Sequence, residues 1–310
     1  VTKGHEPWSR RRFLTAGLAG ATALIGGGAT TFELISRGVL PGKLELDQLD
    51  GACSVSHEPY GFATHGPAIT GTFYSDARRR DVGYTLAFPP GHGPGSGLPL
   101  VVALHGFGGN HTNALAAMSP QQAVAMTIDG SQLPPMALVT VDGGGGYWNP
   151  HPGDDPMTMV MNELIPRCQD QGPGRPPYRI GTMGISMGGY GALLLGEKFP
   201  HTIRAVAAIS PAIWTRYDAA RAANAGAYAS AVAFAACDAV THASALADTP
   251  VRVASGVDDP FHPGVKALAS ALGSRAIIDI TRGCHTDPFF ASQQPPSLAF
   301  LGEHLPVPAM

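Results

Sequence analysis

A serine with glycine two residues to either side, Gly184-Ile185-Ser186-Met187-Gly188, is the first arrangement in this chain that could do covalent chemistry. A serine hydroxyl becomes a nucleophile when a sharp strand-to-helix turn presents it. Side chains two positions before and after would then collide with the crossing backbone. The flanks supply both elements: Tyr178-Arg179-Ile180-Gly181-Thr182-Met183 reads as a strand, and Tyr190 to Phe199 as an apolar helix closed by Pro200. The expected chemistry is attack on an ester carbonyl. With 40 glycines in 310 residues the spacing can arise by chance, so the weight falls on the residues that must accompany it.

A serine needs a base to take its proton and an acid to orient that base. After a strand ending at Ser255 comes Gly256-Val257-Asp258-Asp259-Pro260-Phe261, and after a strand ending near Thr281 comes Arg282-Gly283-Cys284-His285. Asp259 is the expected acid, because Gly-x-x-Asp carries it to the loop tip and Pro260 holds it extended; Asp258 is the alternative. His285 is the expected base, following the last strand behind a glycine, with His262 and His304 as alternatives. The oxyanion of a tetrahedral intermediate needs backbone donors. The turn Leu104-His105-Gly106-Phe107-Gly108-Gly109 supplies one at Phe107, and Met187 supplies the other. Their side chains are then expected to line the acyl or alcohol pocket. Asp142-Gly143-Gly144-Gly145-Gly146-Tyr147-Trp148-Asn149-Pro150 follows another strand and should share the same rim. His105, Tyr147 and Trp148 are therefore candidates for substrate contact. His105, His111 and His151 lack metal-site spacing, and neither metal nor cofactor is expected.

The elements that must position these residues alternate from about Gly71 onward. Short apolar runs near residues 83–88, 98–104, 136–141, 178–183, 204–210, 250–255 and 276–281 read as buried parallel strands. Helices are expected near 112–127, 156–168, 187–199, 263–272 and 291–304. The second of these carries Met157, Val160, Met161, Leu164 and Ile165 as a core stripe. The Ala-rich, interrupted stretch at about 211–249 reads as a small helical cap, and residues 36–70 and 89–97 as surface connections. The expected fold class is α/β, with a mostly parallel central sheet, helices on both faces and that cap, and the order Ser186, Asp259, His285 suits an α/β-hydrolase fold.

A hydrophobic fraction of 44% over 310 residues suits one large core, assigned to residues 36–310. A net charge of −3 with 14% charged residues leaves no basic face for nucleic acid outside the extreme amino terminus. That terminus is a separate object. Ser9-Arg10-Arg11-Arg12-Phe13-Leu14, followed by an uncharged stretch from Phe13 to Phe32, matches a twin-arginine export signal, so residues 1–35 are set apart from the fold. The expected partners are the twin-arginine machinery and a small-molecule or lipid ester, with the mature chain secreted or anchored to the cell envelope. Cys53, Cys168, Cys237 and Cys284 allow two disulfides in three connectivities, or free buried thiols.

Taken together, Leu104-His105-Gly106-Phe107-Gly108-Gly109, Gly184-Ile185-Ser186-Met187-Gly188-Gly189-Tyr190, Asp259-Pro260-Phe261 and Gly283-Cys284-His285 resemble the esterase D group of α/β-hydrolases. That group includes S-formylglutathione hydrolases, feruloyl-type esterases and the mycolyltransferase antigens, and the likeness spans roughly residues 70–305. It implies a triad of Ser186, Asp259 and His285. The mycolyltransferases look similar at the elbow but use a glutamate acid where this chain offers aspartate. The expectation is an exported serine carboxylesterase. An acyltransferase to a sugar or alcohol, and a non-catalytic envelope protein on a hydrolase scaffold, are the alternatives.

Overall fold

The computed structural model describes residues 43, 47–48, 51–56 and 60–305. The export-signal expectation, on residues 1–35, lies outside the described residues. The chain divides into two compact units, Val1–Gly51 and Ala52–Met310. In the first, Lys43 and Asp47, one helical turn apart, form an ion pair. The second carries every strand of the described residues.

The strands of its central sheet are β2 Ala68–Ser75, β3 Arg80–Ala87, β4 Leu100–Leu104, β7 Ala137–Val141, β8 Ile180–Ile185, β9 Ile203–Ile209, β10 Val251–Gly256 and β11 Ala276–Thr281. These eight lie in the order β11-β10-β9-β8-β4-β7-β3-β2. From β7 through β4 to β11 the pairing is parallel, while β2, β3 and β7 pair antiparallel. A small antiparallel sheet joins β1 Tyr60–Phe62, β5 Met126–Ile128 and β6 Ser131–Gln132. The central strands are buried along their whole length, as LVVAL in β4 and ALVTV in β7 show, because helices cover both faces.

Alternation across the sheet splits the core. Leu100, Val102 and Leu104 face one apolar cluster, and Val101 and Ala103 face the other. The first cluster takes in Met157, Val160 and Leu164 from the run α2 Pro156–Thr158, π-helical Met159–Leu164 and α3 Ile165–Asp170, with Met161 partly buried against it. It also holds Leu193–Leu195 from α4 Met187–Lys198 and Val265 and Leu268 from α7 His262–Leu272. The second takes in Val124 from α1 Pro120–Val124 and Phe289, Leu298 and Leu301 from α8 Asp287–His304. Between β9 and β10 lie α5 Tyr217–Ala223, α6 Ala231–Ala236 and a 3-10 turn at Ala243–Leu246.

The expected strands are all present, but β3, read as parallel, pairs antiparallel on both sides, and β11, read as buried, is half-buried or exposed; β1 also falls within the stretch read as a surface connection, and β5 begins within the helix expected over 112–127. β2 occupies ground read partly as a surface connection; as an edge strand it alternates half-buried and exposed positions and lacks an apolar run. The helix expected over 112–127 contracts to α1. Ahead of it the Asn110 side chain accepts from Thr112, and the buried Gln294 amide both accepts from and donates to the Ala116 backbone. These side-chain bonds replace the helical ladder and hold residues 110–118 as a loop.

Candidate active site

At the end of β8 the chain turns through Ser186, held at φ 58° and ψ −118°, and enters α4. That backbone is costly for a non-glycine residue and is kept by its surroundings. Ser186 N–H donates to the Ile209 carbonyl (2.9 Å), and the Ser186 carbonyl accepts from Tyr190 (3.1 Å) and Ala212 (3.0 Å). A Cβ on Gly184 would sit 2.2 Å from the Gly188 carbonyl oxygen, and one on Gly188 would sit 2.0 Å from that of Leu104. The Gly-x-Ser-x-Gly spacing is therefore a steric requirement of this turn.

The structure brings Asp259 and His285 to Ser186. His285 Nδ1 lies 2.9 Å from Asp259 Oδ2, and His285 Nε2 lies 2.8 Å from Ser186 Oγ. A carboxylate only accepts, so Nδ1 carries the proton and Nε2 is left to accept from the serine hydroxyl. The Asp259 side chain is fully buried, and its Oδ1 accepts from Phe261 N–H at 2.8 Å. The Asp258 backbone N–H donates to the Gly283 carbonyl (3.0 Å), tying the acid loop to the histidine loop. The rings of Phe261 and Phe290 flank His285, centroids 5.2 and 4.9 Å away. His262 opens α7, and His304 stacks on Phe300 at the end of α8.

Ser186 and His285 line an open cleft of about 600 Å³, walled by Gly106, Phe107, Leu115, Ile185 and Phe290, with Asn113 and Asp287 as its polar edges. The loop carrying Phe107 follows β4, and its ring is exposed. Met187 is the first residue of α4, where backbone N–H groups have no helical partner. Its side chain is fully buried in the core, so of the two expected pocket-lining side chains only Phe107 reaches the cleft.

His105, Tyr147 and Trp148 do not line this cleft; they form its buried support, which corrects their expected role as substrate contacts. His105 Nδ1 donates to the Gly106 carbonyl (2.7 Å) and Nε2 accepts from Gly143 N–H (2.8 Å). Acceptance at Nε2 requires the neutral ring, and burial lowers its pKa in the same direction. Trp148 Nε1 donates to the His105 carbonyl (3.2 Å). Its indole fills the space that glycine leaves at Gly143 and Gly191, where a Cβ would come within 2.1 and 2.6 Å of the ring. Tyr147 Oη accepts from Trp214 Nε1 at 3.0 Å. Position after a strand is visible in sequence; which way a ring turns from that position is not.

Sequence reasoning also missed the polar brace below these loops. Arg78, 3% exposed, pairs with Asp154 (2.7 Å) and donates to the Asp142 carbonyl. Asp142 accepts from Gly83 N–H and from the backbone and ring of His111. Burial works against the Asp142 charge, but these donors outweigh it and lower its pKa. Among the described residues no group of three or more His, Cys, Asp or Glu could hold a metal ion, and no helix is long and apolar enough to cross a membrane.

One of the three connectivities open in sequence supplies the bond that is present. Cys53 is bonded to Cys284, adjacent to His285, while Cys168 and Cys237 are buried free thiols. Burial raises both thiols, Cys168 to about 12, so neither is a nucleophile.

A family model described as "Putative esterase" matches residues 75–264. No curated protein matches the sequence. Among solved structures, a ferulic acid esterase superposes with a TM-score of 0.62 at 18% identity, over 77% of this chain and 98% of that one. An S-formylglutathione hydrolase from Agrobacterium tumefaciens does so at 0.62 and 16%, over 81% and 100%. MPT51 of Mycobacterium tuberculosis gives 0.58 and 17%, over 78% and 100%. At such identities the likeness is one of fold.

Proposed function

Because this chain belongs to an esterase family of the α/β-hydrolase fold, we propose that it is a serine carboxylesterase working through an acyl-enzyme on Ser186. The observation that carries this reading is the continuous chain of hydrogen bonds from Asp259 through His285 to Ser186, opening on a cleft. Ser186 Oγ attacks the ester carbonyl as His285 Nε2 takes its proton. The same nitrogen then protonates the leaving alcohol. Asp259 holds the ring and balances the imidazolium that forms. The N–H groups of Phe107 and Met187 receive the oxyanion, each contributing about 3 kcal/mol to the barrier. Water is taken as the second acceptor; transfer to a sugar or alcohol is the alternative, and product analysis with added acceptor separates the two. The mixed apolar wall of the cleft suits a small-molecule or lipid acyl ester.

The twin arginines support export, and a disulfide suits an oxidising compartment. Two experiments test these readings. A fluorophosphonate should label Ser186, and Ser186→Ala should lose ester turnover by about 10⁶-fold; a label mapped to another residue would overturn the assignment. Arg10→Lys with Arg11→Lys should retain the chain inside the cell on fractionation, and unaltered export would rule out the twin-arginine route.

A further inference from the structure

The serine and the acid are placed by the sheet interior, but the histidine is not. Among the described residues β11, which delivers His285, pairs on one side only, with β10. Beyond Thr281 the chain must cross to α8 while holding the ring against both Asp259 and Ser186. Backbone bonds secure part of that crossing: Val257 N–H to the Thr281 carbonyl, Asp258 N–H to that of Gly283, and Thr286 N–H to that of Cys284. The rings of Phe261 and Phe290 and the Asp259 carboxylate hold the side chain, and a further restraint on the backbone is covalent. Cys284, wholly buried, is joined to Cys53, and the residues after Cys53 run beside the loop, where Ser54, Val55 and Ser56 share a groove with Thr281, Arg282 and Ser292.

We propose that Cys53 and Cys284 are positioning residues for the base, their bond fixing the backbone next to His285 so that the Ser186–His285 contact is complete only in the oxidised chain. This rests on the esterase reading above. The bond is one residue from His285, so movement of the Cys284 Cα is transmitted directly to the histidine. A misplacement of about 1 Å at a reacting group costs on the order of 100-fold in rate. The first core cluster is built from strands and helices away from the bond; the second has Val55 and Phe289 near it, which is why the test records the far-ultraviolet spectrum alongside kcat.

Reduction needs a dithiol. One of its thiolates attacks the sulfur of half-buried Cys53, and the Cys284 thiolate leaves and takes up a proton. The second thiol of the reductant then resolves the mixed disulfide, leaving Cys53 and Cys284 as thiols and the reductant as a cyclic disulfide. Cys168 and Cys237, already free, do not change.

The test is to measure kcat and KM on a neutral aryl ester for the full chain before and after dithiothreitol, with thiols counted and circular dichroism recorded on the same samples. The expected result is a kcat lowered about 10- to 100-fold, KM within about twofold and an unchanged far-ultraviolet spectrum. Cys53→Ser should behave like the reduced chain and be indifferent to dithiothreitol. Cys168→Ser/Cys237→Ser should respond as the parent does. Full kcat in a chain whose bond is reduced overturns the proposal while leaving the esterase reading intact. So does a kcat loss that only follows loss of ellipticity, since that is a structural role. Oxidised protein without Ser186-dependent turnover overturns both.

Discussion

Ser186 follows β8, which is bonded to β4 on one side and β9 on the other and buried at every residue. His285 follows β11, bonded among the described residues to β10 alone and half-buried or exposed along its length. The two side chains meet at 2.8 Å, yet they are held by different means. The nucleophile's position is written into backbone sterics: two glycines without which β8, α4 and the loop after β4 could not approach. The base is held by an assembly of separate restraints, namely a buried carboxylate, two flanking rings, a few loop hydrogen bonds and one disulfide. Such a site has a rigid half and an adjustable half, and its failures should divide accordingly.

Experiments can break or sharpen that division. In the half that holds the base, the largest effect is expected from Asp259→Asn, which should cut kcat by about 10⁴-fold by mispositioning and mis-protonating His285. Asp258→Asn, whose backbone contact survives, should stay within a few fold, and the reverse ranking would mean that the ring takes its orientation from another group. Next, Gly188→Ala puts a methyl group 2.0 Å from the Leu104 oxygen and should destabilise the fold by about 4 kcal/mol or more in urea unfolding. Gly283→Ala meets the Phe289 ring at 2.3 Å in a backbone of φ 148°. It should cost less stability, about 2–3 kcal/mol, and more of its effect should appear in kcat. A larger stability loss at Gly283 than at Gly188 would contradict the rigid-centre view.

Smaller effects probe the rigid half itself. Trp148→Phe loses the bond to the His105 carbonyl and should cost about 1–2 kcal/mol, with a modest fall in kcat as the loop bearing Phe107 loosens. The smallest concerns the far end of α4. Burial pushes the Glu197 carboxyl from 4.5 up to about 9, Lys198 opposing and Asp238 adding to the shift. The folded chain keeps a proton there that the unfolded chain releases, so stability contributed by the neutral acid is full below about 4.5 and declines as pH rises toward 9. Glu197→Gln cannot ionise. It should match the parent at pH 4 and melt higher than it at pH 8, the gap widening as pH rises; equal melting at both would place the carboxyl in contact with solvent.

Much of this molecule could be read from its sequence, for identifiable reasons. Strands such as Leu100–Leu104 are continuous apolar runs because both sheet faces are covered, whereas a strand with one wet face would alternate. Ser186, Asp259 and His285 sit at strand ends in an order that a parallel sheet brings together, and the structure does converge them. Strand β2 escaped because an edge strand with Thr70, Thr72 and Ser75 lacks such a run. The loop before α1 escaped because a side chain 178 positions away, Gln294, takes up the Ala116 backbone. His105, Tyr147 and Trp148 stand on the right loops but turn inward, Trp148 into the glycine-sized space at Gly143 and Gly191. Pairing of Cys53 with Cys284 spans 231 residues, beyond anything spacing encodes.

That span has a consequence for what counts as one molecule. Almost the entire hydrolase unit lies between the two half-cystines, so cleavage of any peptide bond inside the interval leaves two fragments that remain a single covalent species. Arg216, on the exposed stretch leading into α5, is an accessible tryptic site. Protein clipped there should migrate as intact chain on a non-reducing gel and as two pieces once thiol is added.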